Sequence, residues 1–109
     1  MTIESDLNLM YQALAHETRR DMLVRLIAEP GVSAGAFVDQ FDAAQPTISR
    51  HLSQLEKAGL IARKVQGRSH VFFAVPEALN TVDSWLAQHR TFWAGSLVRL
   101  GRFLDDDIA

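Results

Sequence analysis

The sequence has 109 residues, of which 48% are hydrophobic and 22% charged, a balance that fits one compact domain over residues 1–109 rather than two. It contains no cysteine, which excludes disulfides, thiolate metal sites and cysteine nucleophiles. The first residues include Glu4 and Asp6 instead of a basic segment, and no apolar run is long enough to cross a bilayer. We therefore expect a cytoplasmic protein with no membrane partner.

The net charge of -2 is unevenly distributed along the chain. Residues 45–75 contain five basic side chains against Glu56 alone, a net +4, which leaves -6 for the rest. A basic centre between acidic ends favours one surface that binds a polyanion. A solvated charged face is the alternative.

Two amphipathic helices are predicted at the start of the chain. Each has apolar residues at positions i, i+3, i+4 and i+7 or a close variant of that spacing. The first set is Leu7, Met10, Tyr11 and Leu14, and the second is Met22, Leu23, Leu26 and Ile27.

A helix, a tight turn and a second helix are predicted next. Ser33 can cap a helix that runs to about Phe41, because its hydroxyl can accept a free backbone N–H. Pro46 suits the first turn of a helix over residues 45–58, which Gly59 can close in the left-handed conformation. The inner face of this helix is formed by Ile48, Leu52 and Leu55.

A hairpin and a long last helix complete the chain. Residues 61–66 and 70–75 are rich in Val, Ile and Phe and are separated by residues 67–69, which predicts a hairpin. Pro76 begins a helix with an apolar stripe. The sequence therefore predicts a mainly α fold with a small β-hairpin, a winged helix-turn-helix of five helices and a two-stranded wing.

DNA contacts are predicted on the outer face of the helix 45–58 and on the wing 61–75. In helix-turn-helix proteins the second helix enters the major groove, where glutamine, arginine and hydroxyl side chains reach base edges or phosphates. Cations on a neighbouring hairpin would contact the DNA backbone or the minor groove. The candidates are Gln45, Thr47, Ser49, Arg50, His51, Gln54 and Lys57 on the helix, and Lys64, Arg68 and Ser69 on the wing.

Four segments together resemble the ArsR/SmtB family. They are LAHETRR at 14–20, QPTISRHL at 45–52, LEKAGLI at 55–61 and GRS at 67–69. The resemblance spans residues 7–104 and implies a homodimeric repressor that binds a palindromic operator on double-stranded DNA. His51 matches a position common in the family's recognition helix, either as a phosphate contact or as a packed residue. Which small-molecule effector releases the DNA, if any does, is not evident from the sequence.

The metal ligands of the family's sensors are missing here. Residues 35–39 (GAFVD) stand where many members hold a cysteine pair, and Asp83 is followed by Trp85 where other members have a histidine. Ser96 and Arg99 cannot complete such a site. The last helix, which carries Trp85 and Trp93, resembles that of the metal-free, autoregulatory branch of the family, whose last helices have a similar tryptophan pattern, and we expect no metal and no cofactor.

The first and last helices are predicted to form the dimer interface, because large aromatic residues recur along the last helix at near-helical spacing. The alternatives are that these aromatic residues complete the protomer's own core or line a ligand pocket. The predicted interface residues are Leu7, Met10, Tyr11, Leu14, Trp85, Phe92, Trp93, Leu97 and Leu100.

Three other functions are alternatives to a DNA-binding repressor. An enzyme would need converging catalytic groups, and no phosphate loop, metal triad or serine-histidine-acid spacing is present. A winged helix used as a protein-interaction module would carry an uncharged or acidic outer face, against which Arg50, Lys57 and Arg68 argue. A repressor that senses a metal through histidines and carboxylates alone is the third alternative.

Overall fold

The computed structural model of the chain describes residues 3–108, with side chains from 6 to 106. The described chain forms five helices and three strands, a mainly α fold with a small hairpin wing, as predicted. In chain order the elements are α1 (Ile3–Leu14), α2 (Glu17–Ala28), β1 (Val32–Ser33), α3 (Ala34–Phe41), α4 (Gln45–Lys57), β2 (Ile61–Gln66), β3 (Ser69–Ala74) and α5 (Pro76–Ile108).

The junction of α1 and α2 is closed by side chains that bond free backbone groups. Arg19 donates from Nε to the carbonyl of Ala13 at 2.7 Å, and Arg20 donates to the carbonyl of Leu14 at 2.7 Å. At the start of α2, Nδ1 of His16 accepts the backbone N–H of Thr18 at 3.2 Å. The last carbonyls of α1 and a first-turn N–H of α2 are thus satisfied within the chain.

The core lies between α2, α3, α4 and the base of the sheet. Its largest fully buried side chains are Met22, Leu26, Phe37, Ile48, Leu52, Leu55 and Leu60. Burial of each such side chain contributes about 1.5–3 kcal/mol to the free energy of folding. Because the predicted inner face of α4 is buried in this core, the opposite face of the helix is the one exposed to solvent.

Leu7 and Met10 also belong to this core, since each is only 6% exposed in the single chain. Their assignment to a dimer interface is corrected, because side chains buried within the protomer have almost no surface left for a partner. Tyr11 is 36% exposed and Leu14 is half-buried, so these two positions of α1 retain accessible surface.

The sheet has three antiparallel strands in the order β1-β3-β2: β2 and β3 form the predicted two-stranded wing, and β1 is an additional strand that the sequence did not predict. β1 has two residues and pairs Val32 with Phe72. β2 and β3 pair from Ile61–Ala74 to Gln66–Ser69, which leaves a two-residue turn. Gly67 takes a φ of 63° there, and such turns favour glycine at their first central position.

The described chain divides after Leu79 into two compact units, and the second consists of α5 from Asn80 onward. A single helix has no core of its own, so one domain over residues 1–109 remains a prediction. Searched over the described residues, no helix has the combined length and apolarity that a membrane span requires.

Candidate nucleic-acid interface

α3 and α4 meet at a turn whose backbone sets the start of α4. Asp42 ends α3 in the left-handed conformation, with φ 47° and ψ 48°. Ala44 is the N-cap of α4, and its carbonyl accepts the N–H groups of Thr47 and Ile48 at 3.0 and 3.1 Å. Because alanine has no side-chain acceptor, the start of α4 has no side-chain cap.

The outer face of α4 is polar and accessible. Ile48, Leu52 and Leu55 are at most 2% exposed and fasten the opposite face to the core. Six of the predicted contact residues are exposed on this helix: Gln45, Thr47, Ser49, Arg50, Gln54 and Lys57. Within the described chain, the side chains of Arg50 and Lys57 form no hydrogen bond or ion pair, so both charges are available to an external anion.

Two cations and a hydroxyl lie on the exposed part of the wing. Arg68 occupies the turn, Ser69 pairs with Gln66 at the first rung of the ladder, and Lys64 lies opposite Val71. The ammonium of Lys64 stands 5.5 Å from the ring centre of Phe73, a cation–π contact that orients it without neutralising it. The predicted wing residues are therefore accessible and charged.

Arg63, unlike the other basic side chains described in residues 45–75, forms an ion pair. Its Nε and Nη2 donate to the two carboxylate oxygens of Glu56 at 3.0 and 2.7 Å, and its guanidinium lies 5.3 Å from the Phe72 ring centre. The hydrogen bond to Glu56 raises the pKa of Arg63 above its ordinary value. This pair fastens β2 to the end of α4 and neutralises the one carboxylate of residues 45–75, so the net +4 resides on Arg50, Lys57, Lys64 and Arg68.

His51 differs from the other predicted contact residues because it is half-buried. Its ring packs on that of His16, with ring centres 4.5 Å apart and planes at 55°, and its Nδ1 is buried without a partner among the described residues. Desolvation, followed by the charges of His16, Arg19 and Arg50, lowers the pKa of His51 below 6.5. The geometry favours packing for His51, and its contact with DNA stays a prediction.

This environment predicts a pH dependence of stability. A histidine whose pKa is lower in the folded chain than in the unfolded one binds protons more tightly when unfolded, so acid favours unfolding. The stabilisation by neutral His51 should be complete above pH 6.5 and should decline as the pH falls below it. We expect urea unfolding curves of His51→Gln to lose less stability between pH 7 and pH 5 than those of the wild type.

His70→Gln is the matched control, because His70 is exposed on β3. Its stability should follow the wild-type dependence on pH. Parallel pH curves for the wild type and His51→Gln would contradict the assignment.

The last helix exposes the apolar stripe that was predicted for the dimer interface. Of the predicted residues, Phe92 is 59%, Trp93 55%, Leu97 65% and Leu100 52% exposed. Trp85 is half-buried and stacks on His89 at 4.3 Å. We call the α5 stripe the exposed set Leu86, Phe92, Trp93, Leu97, Leu100, Phe103 and Leu104.

Among residues whose side chains are described, no three of the types His, Cys, Asp and Glu gather in a group that could hold a metal ion. The sequence departures at residues 35–39 and at Asp83 remain the basis for expecting metal independence.

Comparison with known proteins places these features in one family. A helix-turn-helix domain family matches residues 14–64, which include α2, α3, the turn and α4. The crystal structure of an ArsR family transcriptional regulator superposes with a TM-score of 0.74 and 33% identity, covering 84% of this chain and 93% of that one.

Two relatives are each 30% identical to this chain in sequence. The uncharacterized HTH-type transcriptional regulator MJ1325 of Methanocaldococcus jannaschii is 30% identical over 67% of this chain and 82% of its own length. The arsenic resistance transcriptional regulator ArsR1 of Pseudomonas putida is 30% identical over 72% of this chain, which spans 61% of the length of that relative.

A solution structure is informative about the fold. The homodimeric winged helix-turn-helix DNA-binding domain Mb0332 of Mycobacterium bovis superposes with a TM-score of 0.64 at 20% identity, over 80% of this chain and 82% of that domain.

Proposed function

Because the chain belongs to the ArsR family of winged helix-turn-helix transcriptional regulators, we propose that it is a cytoplasmic homodimeric repressor that binds an inverted-repeat operator. The observation that carries this proposal is the set of four exposed cations on α4 and the wing, none of them paired within the described chain: Arg50, Lys57, Lys64 and Arg68. The DNA-binding role is that of the family, whereas repression, the operator and the contact residues are our inference.

The mechanism assigns each element one task. α4 enters the major groove with its polar face outward, and Arg50 has the donor geometry to pair with the O6 and N7 atoms of a guanine. Lys64 and Arg68 on the wing contact phosphates beside it and thereby set the position of α4. In a two-fold symmetric dimer the two α4 helices would read half-sites about 34 Å apart, and bound protein would block polymerase.

The α5 stripe supports the homodimer. Seven large apolar side chains that remain exposed along one helix are the feature that marks an association surface. The homodimeric state of the M. bovis domain, which shares the fold, is consistent with this.

Titration by fluorescence anisotropy tests the proposed function. The protein would be titrated against its own upstream DNA and against the same fragment with its sequence scrambled, at two salt concentrations. We expect tighter binding to the upstream fragment and a steep fall in affinity with salt, since phosphate contacts release counterions. Equal, weak binding to both fragments would contradict an autoregulatory repressor.

The wing gives a prediction about phosphate contacts. Replacing Lys64 with alanine should weaken binding to the upstream and scrambled fragments by the same factor, because a phosphate contact carries no sequence information. The slope of log affinity against log salt should fall by about one.

Arg25→Ala is the matched control, since it removes one positive charge from α2, where Arg25 is bound to Glu29 and Gln40. Its salt slope should equal that of the wild type. A Lys64→Ala protein with an unchanged slope would remove the wing from the interface.

A further inference from the structure

An apolar pocket of about 340 Å³ lies in the first unit, away from the outer face of α4. Its walls come from the end of α2, the turn that follows, the end of β3 and the start of α5. The lining residues are Leu26, Ile27, Pro30, Phe73, Ala74, Pro76 and Leu79.

The walls of this pocket are held in place by backbone hydrogen bonds. The N–H of Gly31 donates to the carbonyl of Phe72 at 3.0 Å, which joins the turn after α2 to β3. The N–H of Val75 donates to the carbonyl of Leu60 at 2.9 Å, which fixes the end of β3. The pocket is therefore formed before any ligand arrives, and binding would require little ordering of the chain.

The lining determines the class of ligand. All seven residues are apolar, and no charged side chain lines the pocket, so a charged or strongly polar molecule would lose its hydration without compensation. The volume lies at the small end of typical ligand sites, which extend from about 300 to 1,000 Å³. A small uncharged molecule, such as a single aromatic or short aliphatic compound, matches both limits.

We propose that this pocket binds a small uncharged apolar molecule and that its occupation weakens DNA binding through Phe73. One ring connects the two functions, because Phe73 lines the pocket and also carries the cation–π contact with Lys64. A ligand that displaces the Phe73 ring removes the contact that orients the Lys64 ammonium. The effect on DNA rests on the proposed phosphate contact of Lys64, whereas the binding of the ligand does not.

Indole is a suitable probe, because it is small, uncharged and largely apolar. Its binding would be followed without DNA, from the NMR signals of the Ile27 and Leu79 methyl groups of the full chain. We expect saturable shifts of both, with a dissociation constant of about 1 mM or lower, as the efficiency of small ligands allows. Methyl signals that do not move would overturn the site. A soluble relaxation agent, added before indole, should reach the methyl groups of Ile27. If these methyl groups are shielded, a second copy of the chain covers the pocket and the proposed ligand site is overturned.

Two matched variants distinguish the pocket from the rest of α2. Val24 and Ile27 are both exposed on this helix, at 64% and 56%, so either position can hold a solvated carboxylate without loss of the fold. Ile27→Glu should weaken indole binding about tenfold, because it replaces part of the apolar wall with a charge. Val24→Glu should leave indole binding unchanged. Equal effects of the two substitutions would overturn the assignment.

The effect on DNA is measured separately, by anisotropy titration with and without saturating indole. We expect indole to weaken operator binding at least threefold for the wild type and for Val24→Glu, and to weaken it distinctly less for Ile27→Glu at the same indole concentration. Shifted methyl signals with unchanged DNA affinity would overturn the coupling while leaving the pocket intact. A protein that binds no DNA without indole would instead contradict the proposed function.

Discussion

Replacing Arg50 with alanine is expected to weaken operator binding by about 1–3 kcal/mol and to relax the sequence preference at one position of each half-site. Arg50 is exposed on the outer face of α4, and Ile48 and Leu52 on the opposite face hold the helix in the core. A guanidinium in this position can donate two parallel hydrogen bonds to guanine, which no other base accepts in the same way. The measurement is anisotropy titration against an operator and its single-base variants.

Arg50→Lys is the control that separates base recognition from charge. Lysine keeps the positive charge but not the planar pair of donors, so the salt slope should remain while the preference for guanine declines. If Arg50 contacts only phosphate, Arg50→Ala will weaken all sequences alike and lower the salt slope by about one. A wild-type affinity and slope for Arg50→Ala would remove α4 from the DNA contact altogether.

The local features of the fold follow from single residues, and for that reason the sequence predicts them. Ser33 caps α3 through its hydroxyl, which accepts the N–H of Ala36 at 3.2 Å. Gly59 ends α4 with a φ of 76°, and Gly67 forms the wing turn. Each depends on a side chain that accepts a hydrogen bond or on a conformation that glycine adopts freely, so neighbouring residues suffice to predict it.

Contacts between distant elements could not be predicted in the same way. β1 has two residues and exists because Val32 pairs with Phe72, forty positions along the chain. The Arg63–Glu56 pair depends on how the wing returns to the end of α4. The ring contact of His51 with His16, the N-cap of α2, likewise joins residues that are far apart in sequence.

The correction at α1 has a related cause. Helical spacing shows that Leu7, Met10, Tyr11 and Leu14 share an apolar face, but it does not show which surface covers that face. In the structure Leu7 and Met10 pack in the core of their own chain, whereas the residues of the α5 stripe remain exposed. The two helices have similar patterns in sequence, and only the packing distinguishes the protomer core from a surface for a partner.

The Arg63–Glu56 pair also bears on the candidate interface. If Glu56 were unpaired, its carboxylate would stand on the same helix as Arg50 and Lys57 and would oppose a polyanion. The bidentate pair neutralises it, and the exposed cations keep their full effect on DNA. The net charge of residues 45–75 is the same with or without this pair. The structure therefore shows which side chains carry that charge, a point that the sequence alone does not give.

Trp93→Ala is expected to raise the dissociation constant of the homodimer at least about 30-fold, as large aromatic residues at the centre of an interface commonly do. Trp93 is 55% exposed in the protomer and lies in the middle of the α5 stripe, and its ring makes a T-shaped contact with that of Phe92, with ring centres 5.5 Å apart. Because more than half of the Trp93 surface is exposed in the protomer, removing this side chain should affect association far more than folding. Sedimentation equilibrium over a range of protein concentrations measures the constant.

Val98→Ala supplies the matched control. Val98 is 54% exposed on the same helix, and at 100° per residue it points about 140° away from Trp93, outside the α5 stripe. Its dimer should dissociate as the wild type does. Weakened pairing in Trp93→Ala should also lower affinity for a two-half-site operator more than for a single half-site, because the second contact is no longer intramolecular. Equal dimer constants for the two variants would show that the α5 stripe is not the dimer interface, and the symmetric operator would lose its structural basis.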